Sequence, residues 1–513
     1  MINRLGREVP EAIDGYGMCR SYPREGGNLH TITPKNYIKN NQPRSGDKIR
    51  SDLGELINEL GIKDGMTLSF HHHLRNGDKV LQVVMQAVSD AGLKDITLAA
   101  SSIFPAHACL VEHMQNGVVG QITANYISGP VADAISSGDL KKPAIMYTHG
   151  GRARAIESGD LSIDVAFIAA PACDGHGNIS GSEGRAACGA LGYAIPDAQY
   201  AQTVVAVTDN LVSYPTPFTE IGEEYVDYVL QIKCIGDPEG IVSGTTQITR
   251  NPIGLKIASM ATRVIEASGL LKDGMSFQTG AGGTSLAVAH FLAEKMKEHS
   301  IVGSFASGGI TGYLVDMFEQ GLFKSLLDVQ CFDLEAIRSY RENPLHQGMS
   351  ASRYGNPHNK GCVVNQLDVM ILGATEIDLD FNVNVTTASD GRIMGGSGGH
   401  SDTAYGSKLS IVVTQLVKGR LPIVKKQVTT LTTPGTSIDV LVTERGIAVH
   451  PKRKQLRGLL QQAGLPVFSI DELYQMACGI AGEPSEFSLD EKIVAVVEYR
   501  DGSVIDVVRK VKT

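Results

Sequence analysis

A chain of 513 residues with 42% hydrophobic and 20% charged residues is long enough to bury more than one core and has the ordinary balance of a folded α/β protein. A formal charge of −9, with lysines and arginines dispersed, excludes a nucleic-acid or anionic-membrane footprint. The eight cysteines are scattered with no C-x-x-C pair, as expected of reduced thiols in a cytoplasmic protein, and neither a secretory leader nor an apolar run of spanning length is evident.

Residues 1–50 carry Gly26-Gly27, Pro34, Asn40-Asn41 and Pro43 and read as an irregular extension, leading into a helix near Ser51–Leu60. From Lys63 onward apolar strands alternate with turns and amphipathic helices, the pattern of a mainly parallel sheet covered by helices. The pattern occurs twice. Lys63-Asp64-Gly65-Met66 opens a strand, a loop, a helix and a second strand, and Lys272-Asp273-Gly274-Met275 opens the same series. Asp164 and Asn178 in the first half recur as Asp368 and Asn382 in the second, at one shared offset. Duplication of one α/β domain follows, with the first copy at 51–240 and the second at 241–513. The chain closes on two strand-turn-strand units, Ile438–Val449 and Val494–Val508, the latter around Asp501-Gly502, a strong turn signal.

Several motifs suit chemistry. Gly280, Ala281, Gly282 and Gly283 lie between a strand and a helix, where free backbone amides and the helix dipole favour an anion or oxyanion, so the loop fits a thioester or phosphate cradle. A dinucleotide reading competes, but Ser285 stands at the third glycine of G-x-G-x-x-G and no acidic residue ends the next strand. The loop Gly395, Gly396, Ser397, Gly398, Gly399 leads into His400 and Asp402, a titratable ring and a carboxylate suited to polarising a carbonyl. Glu376, Asp378, Asp380, Asn382 and Asn384 alternate along one strand, which fits either a nucleophilic Glu376 or a solvated edge. His71, His72 and His73 lack the ligand spacing of a metal site, so no metal is expected, and anion contact by these rings with Arg75 is the better reading.

The strand, Gly-rich turn and helix, the G-G-x-G-G-H-x-D loop and the Val442-Thr443-Glu444-x-Gly446 hairpin resemble the coenzyme A transferase superfamily, whose fold is two similar α/β domains. Within it, Ser69-Phe70-His71-His72, Thr148-His149-Gly150-Gly151-Arg152, Gly192-Tyr193-Ala194-Ile195, Gln278-Thr279-Gly280 and Gly308-Gly309-Ile310-Thr311 are similar to citrate lyase alpha subunits over about Gly54–Lys512. The resemblance implies a transferase that exchanges acetate for citrate on the thiol of an acyl carrier (gamma) subunit, or on acetyl-CoA. A separate beta subunit would then cleave the citryl thioester, within an oligomeric complex. No cofactor would be bound permanently by this chain; it would act on the carrier's CoA-like prosthetic group. Related covalent transferases use a glutamate near the segment that here reads Ser307–Thr311, and it is absent, which implies direct attack by the substrate carboxylate. His400 would then steady the tetrahedral species, and His71, His72, Arg75 and Arg152 would hold the tricarboxylate. A covalent Glu376 thioester acting on citramalate or another carboxylate, and a non-catalytic scaffold, are the alternatives.

Overall fold

Runs such as Val165–Ala170 and Leu409–Val413, buried along their whole length, are what central parallel strands covered on both faces require. The computed structural model describes residues 1–22, 47–242, 247–484 and 488–512; the Gly26–Pro43 turn signals lie outside them. The first half contributes β1 (Ile49–Arg50), β2 (Thr67–Phe70), β3 (Ile96–Ala100), β4 (Val119–Ala124), β5 (Ala144–Met146), β6 (Val165–Ala170), β7 (Thr203–Thr208) and β8 (Tyr228–Gln231). They lie in the order β5-β4-β3-β2-β6-β7-β8-β1, all parallel. The second half contributes β9 (Ser276–Thr279), β10 (Gly303–Ile310), β11 (Phe323–Cys331), β12 (His346–Gly348), β13 (Val369–Leu372), β14 (Leu409–Val413) and β15 (Val440–Val442). Their order, β12-β11-β10-β9-β13-β14-β15, is that of β5 to β8 again, and the strands are again parallel. β16 (Ile447–Val449), antiparallel to β15, and β17 (Val467–Phe468) extend the second sheet.

The repeat extends to single hydrogen bonds. Asp164 accepts from the amide of Thr67 at 2.8 Å and Asp368 from that of Ser276 at 2.9 Å, so each aspartate ties the start of the strand after a Lys-Asp-Gly-Met turn to the neighbouring strand. Asp174 and Asp378 each fold a turn back onto themselves by accepting from the side-chain amides of Asn178 and Asn382, at 2.9 and 3.1 Å.

The terminal hairpin, β18 (Leu489–Glu498) and β19 (Val504–Val511), does not stay with the half that precedes it: β18 pairs in parallel with β5. An N-terminal segment packs on the same hairpin, with Arg7 on Asp506 at 2.8 Å and Tyr16 donating to Glu498 at 2.7 Å. Both chain ends thus close the edge of the first sheet, which would otherwise present unpaired backbone. All eight cysteines are free thiols, and no helix among the described residues is long and apolar enough to cross a membrane.

Candidate functional site

The carboxyl ends of the two sheets meet, and the seam is built from the loops that leave them. Thr148, at the amino end of helix α1 (His149–Ser158), bridges to Gly398. The amide of His149 donates to the Gly398 carbonyl at 2.8 Å, and the Gly398 amide donates to Asn125 at 3.1 Å. The glycines here are packing requirements: a Cβ at Gly396 would fall 2.3 Å from the Asn125 carbonyl oxygen, and one at Gly399 2.3 Å from the Tyr354 hydroxyl. A Cβ at Gly395 would fall 2.6 Å from the Val385 carbonyl oxygen. Asp402, on the helix His400–Gly406 of the second half, reaches across and caps α1 of the first.

The labels follow chain order: α1 carries Arg152, α2 (Ala194–Tyr200) carries Asp197, and α3 (His400–Gly406) carries Asp402. Asp402 accepts from Thr148 Oγ1 and from the Gly150 amide, both at 2.9 Å, with Arg500 Nε at 3.3 Å. Burial is the dominant influence on this carboxyl and pushes it up to about 6, against the pull of Arg500. Asp402 is therefore a clamp between halves at a helix start, where a carboxylate is favoured.

His400 is also committed. Its Nε2 lies 2.9 Å from the Gly373 carbonyl and must carry the proton, so Nδ1, 2.8 Å from Thr433 Oγ1, accepts. Burial lowers this ring to about 4. Glu376 is fully buried and receives Lys425 in a short ion pair, Asn384 at 3.0 Å, Ser389 at 2.8 Å and the Thr429 amide at 2.7 Å. Although burial opposes its charge, Lys425 and the other donors hold this carboxyl below its ordinary value. Asp378, Asn382 and Asn384 are also buried, whereas Asp380 is exposed at the turn of an antiparallel hairpin; the segment is not one alternating strand but a turn whose two arms carry an interior polar network.

Among the predicted anion-binding groups the structure separates two kinds. Arg152 forms a two-pronged pair with Asp197 at 2.7 and 2.8 Å and donates to the Ala99 carbonyl at 3.0 Å, while His71 Nε2 lies 3.1 Å from the same Asp197. Ser69 adds a short hydrogen bond to that carboxylate. These groups neutralise one another beneath the loop. Arg75 differs. Its side chain is buried, held between Phe104 and Phe332 with ring centroids 5.2 and 4.9 Å from the guanidinium carbon, and its Nε and Nη1 have no partner among the described residues. Its backbone sits at φ 50, a left-handed conformation that surroundings must enforce on a non-glycine residue.

Around Arg75 the rings are neutral. His72 Nδ1 lies 2.6 Å from Ser101 Oγ, which also accepts the His72 amide at 3.1 Å, so one hydroxyl fixes both the backbone and the ring. His72 is depressed well below the ordinary imidazole range, and His73 and His149 are each lowered to about 3, burial being the main cause in all three. Tyr193 stacks beside His72 at 4.8 Å and His149 at 4.5 Å, and Tyr354 receives a hydrogen bond from Gln278 at 2.7 Å. Buried polar atoms without partners among the described residues collect at these strand ends: both ring nitrogens of His73, Asn125 Oδ1, Gln278 Oε1, Ser307 Oγ, Thr311 Oγ1 and Gln330 Oε1. Interior polar atoms are normally paired, so the collection marks a place shaped for a polar ligand.

Gly280, Ala281, Gly282 and Gly283 leave β9 at the same face, at the start of the helix Gly283–Glu298. Gly280 and Gly282 have room: an added Cβ would meet nothing nearer than 3.6 and 3.8 Å. No side chain caps this helix start, so its amides face outward at the positive end of the dipole. One cluster escaped the sequence reading: Asp328, Cys331 and His346 are ligand types gathered within reach of one ion among the described residues. The thiol donates to Asp328 at 3.0 Å and His346 Nε2 lies 3.2 Å from it, a closed hydrogen-bonded set. Gln330, Tyr354 and Phe332 were equally unmarked; single polar or aromatic residues at strand ends carry no spacing signal.

Residues 46–511 match the family described as citrate lyase, alpha subunit (CitF). The citrate lyase alpha chain of Klebsiella pneumoniae is 46% identical over 482 residues, covering 94% of this chain and 95% of that one. The Haemophilus influenzae citrate lyase alpha chain is 48% identical over 465 residues, covering 91% and 93%. A Streptococcus mutans protein assigned as an alpha subunit of citrate lyase, solved in complex with citrate, superposes with a TM-score of 0.95 at 46% identity and covers 100% of both chains. A malonate decarboxylase hetero-tetramer from Pseudomonas shares the fold at 16% identity, with a TM-score of 0.65 over 86% of this chain and 85% of that one. The chain belongs to the citrate lyase alpha subunit family, a component of an enzyme complex.

Proposed function

We propose that this chain exchanges acetate for citrate on the thiol of a CoA-like carrier group, the acyl-transfer step that precedes cleavage in citrate lyase. The observation that carries the reading is Arg75, a buried guanidinium between two phenyl rings with Nε and Nη1 unpaired. Burying such a cation without an acid is costly, and a ligand carboxylate would offset the cost through a two-pronged contact. The relative solved with citrate makes that acid the first one to test.

In this reading a citrate carboxylate oxygen attacks the acetyl thioester carbonyl, the carbon–sulfur bond breaks, and the carrier thiolate leaves with the electron pair. The thiolate then attacks the citryl carbonyl of the mixed anhydride and acetate departs. The protein aligns the two reactants and places polar groups where oxyanions develop: the His72 ring on one side, the amides after Gly282 on the other. A covalent route through Glu376 finds less support, because that carboxylate is buried and already receives Lys425, Asn384, Ser389 and Thr429. The beta subunit and acyl carrier gamma subunit would be the partners, in the cytoplasm, and the carrier's prosthetic group would reach the seam from outside. The test is incubation of the purified chain with acetylated carrier or acetyl-CoA and citrate or citramalate, followed by mass spectrometry of the thiol. Citryl thioester without an acyl-enzyme adduct supports direct transfer; an adduct on Glu376 overturns that mechanism, and no exchange with either acid overturns the function.

A further inference from the structure

We infer that Gln330 is the group that recognises the hydroxyl of the substrate and sets the preference for a hydroxylated tricarboxylate over one without it. This rests on the citrate reading above. Gln330 is fully buried near the end of β11. Its Nε2 donates to the His72 carbonyl at 2.9 Å, the same carbonyl that accepts the Arg75 amide at 3.0 Å and so begins the turn presenting the guanidinium. Phe332, two residues on, stacks against Arg75 at 4.9 Å. The Gln330 side-chain amide and the Arg75 backbone are thus held on one carbonyl. The register between β10 and β11 shifts at this point, with Gly308 opposite Asp328 but Gly309 opposite Gln330, and a bulge of this kind re-aims a side chain.

Gln330 Oε1 has no partner among the described residues, and its identity as an acceptor is settled by the fold. A carbonyl can only accept, so the group facing His72 O must be the NH2 and the amide cannot turn over. Gln278 and Asn125 also leave an oxygen unpaired, but they face the Tyr354 hydroxyl and the His149 ring. Those partners can reverse roles with a hydroxyl rotation or a change of tautomer; the His72 carbonyl cannot. An ionised tricarboxylate presents acceptors only, which an amide oxygen repels. The single donor on citrate is its hydroxyl, and a site with a fixed buried acceptor penalises an analogue that lacks the donor.

The experiment compares citrate with propane-1,2,3-tricarboxylate, which keeps the three carboxylates and lacks the hydroxyl. Dissociation constants and acyl exchange are measured for the parent, Gln330→Met and Gln330→Asn; the shorter amide withdraws the acceptor and adds no bulk. The expected result is a parent preference for citrate on the order of 100-fold. It should collapse to within about 5-fold in either folded variant through weaker citrate binding, with the deoxy acid bound as before. Equal binding of the two acids by the parent overturns the inference, as does a variant that keeps the full preference. A parent that neither binds nor exchanges either acid overturns the citrate reading itself, a result separable from failure at Gln330.

Discussion

The loops that follow β2 and β9 occupy the same place in the two copies of the repeat and are built from opposite materials. After β2 come three histidines and Arg75, buried and crowded by Phe104, Phe332 and Tyr193. After β9 come Gly280 to Gly283, with room for a side-chain carbon at Gly280 and Gly282. One copy supplies rings and a cation that can grip an acid; the other supplies bare backbone at a helix start, which can accommodate an oxyanion or a thioester arm. A duplicated fold places both at facing carboxyl ends of strands, where α/β sheets bind ligands, and divergence of two loops divides the labour.

The sharpest break in this comparison is Arg75→Met. The loss of a buried charge-assisted contact of ~2–5 kcal/mol raises the citrate KM by about 1,000-fold. The melting temperature should hold or rise because an unpaired buried cation has been removed; a fall in melting temperature with an unchanged KM would make Arg75 structural. Next, Glu376→Gln strands Lys425 inside the protein, and denaturation should show a loss of ~3–5 kcal/mol. Per folded molecule the exchange rate should stay near that of the parent, whereas a covalent role predicts its abolition.

A smaller effect concerns pH. His73 and His149 are held near 3 when folded, against about 6.5 when exposed. Between those values the folded protein binds fewer protons, so their contribution is complete above 6.5 and is lost as pH falls, by as much as ~2 kcal/mol each between pH 6.5 and 5. Glu220 and Glu498, raised to about 7 mainly by burial, act in the opposite sense over much of that range: the folded state binds more protons, and acid favours it. The histidine contribution is therefore read from a difference. The melting temperature of the parent relative to His73→Gln should decline from pH 7 to pH 5, and a constant difference would remove the histidine from the account.

The finest contrast is between glycines. Gly396→Ala forces a Cβ to 2.3 Å from the Asn125 oxygen and should cost ~1–3 kcal/mol. Gly282→Ala has 3.8 Å of clearance and should shift stability by less than ~1 kcal/mol, yet slow acyl exchange by about 10-fold if the amides behind it face the thioester. Matched effects on stability and exchange in both variants would erase the distinction between packing and functional glycines.

The two G-rich loops looked alike as sequence, and only their surroundings separate them. Glycine after a strand reports that a Cβ is unwelcome or unnecessary, without saying whether a ligand or a neighbouring backbone takes the space. His400 and Asp402 were attractive as a ring and an acid in series, but sequence does not show that Gly373, Thr433, Thr148 and Gly150 engage them. Arg75 and Arg152 were equivalent candidates until Asp197, forty-odd residues beyond Arg152, proved to pair with one of them.

The sequence by itself determined the repeated α/β pattern, the recurrence of Asp164 and Asn178 as Asp368 and Asn382, and the family through motifs spread over most of the chain. These are local or periodic signals, carried by residues close in sequence or by fixed spacing. Tertiary structure alone decided that the C-terminal hairpin completes the first sheet, that Asp402 clamps one half to the helix of the other, and that Arg75 and Gln330 stand without their full complement of partners among the described residues. Pairing is a property of neighbours in space: whether a buried charge is satisfied or waiting for a ligand depends on side chains hundreds of residues away, which the folded chain brings within a few ångströms.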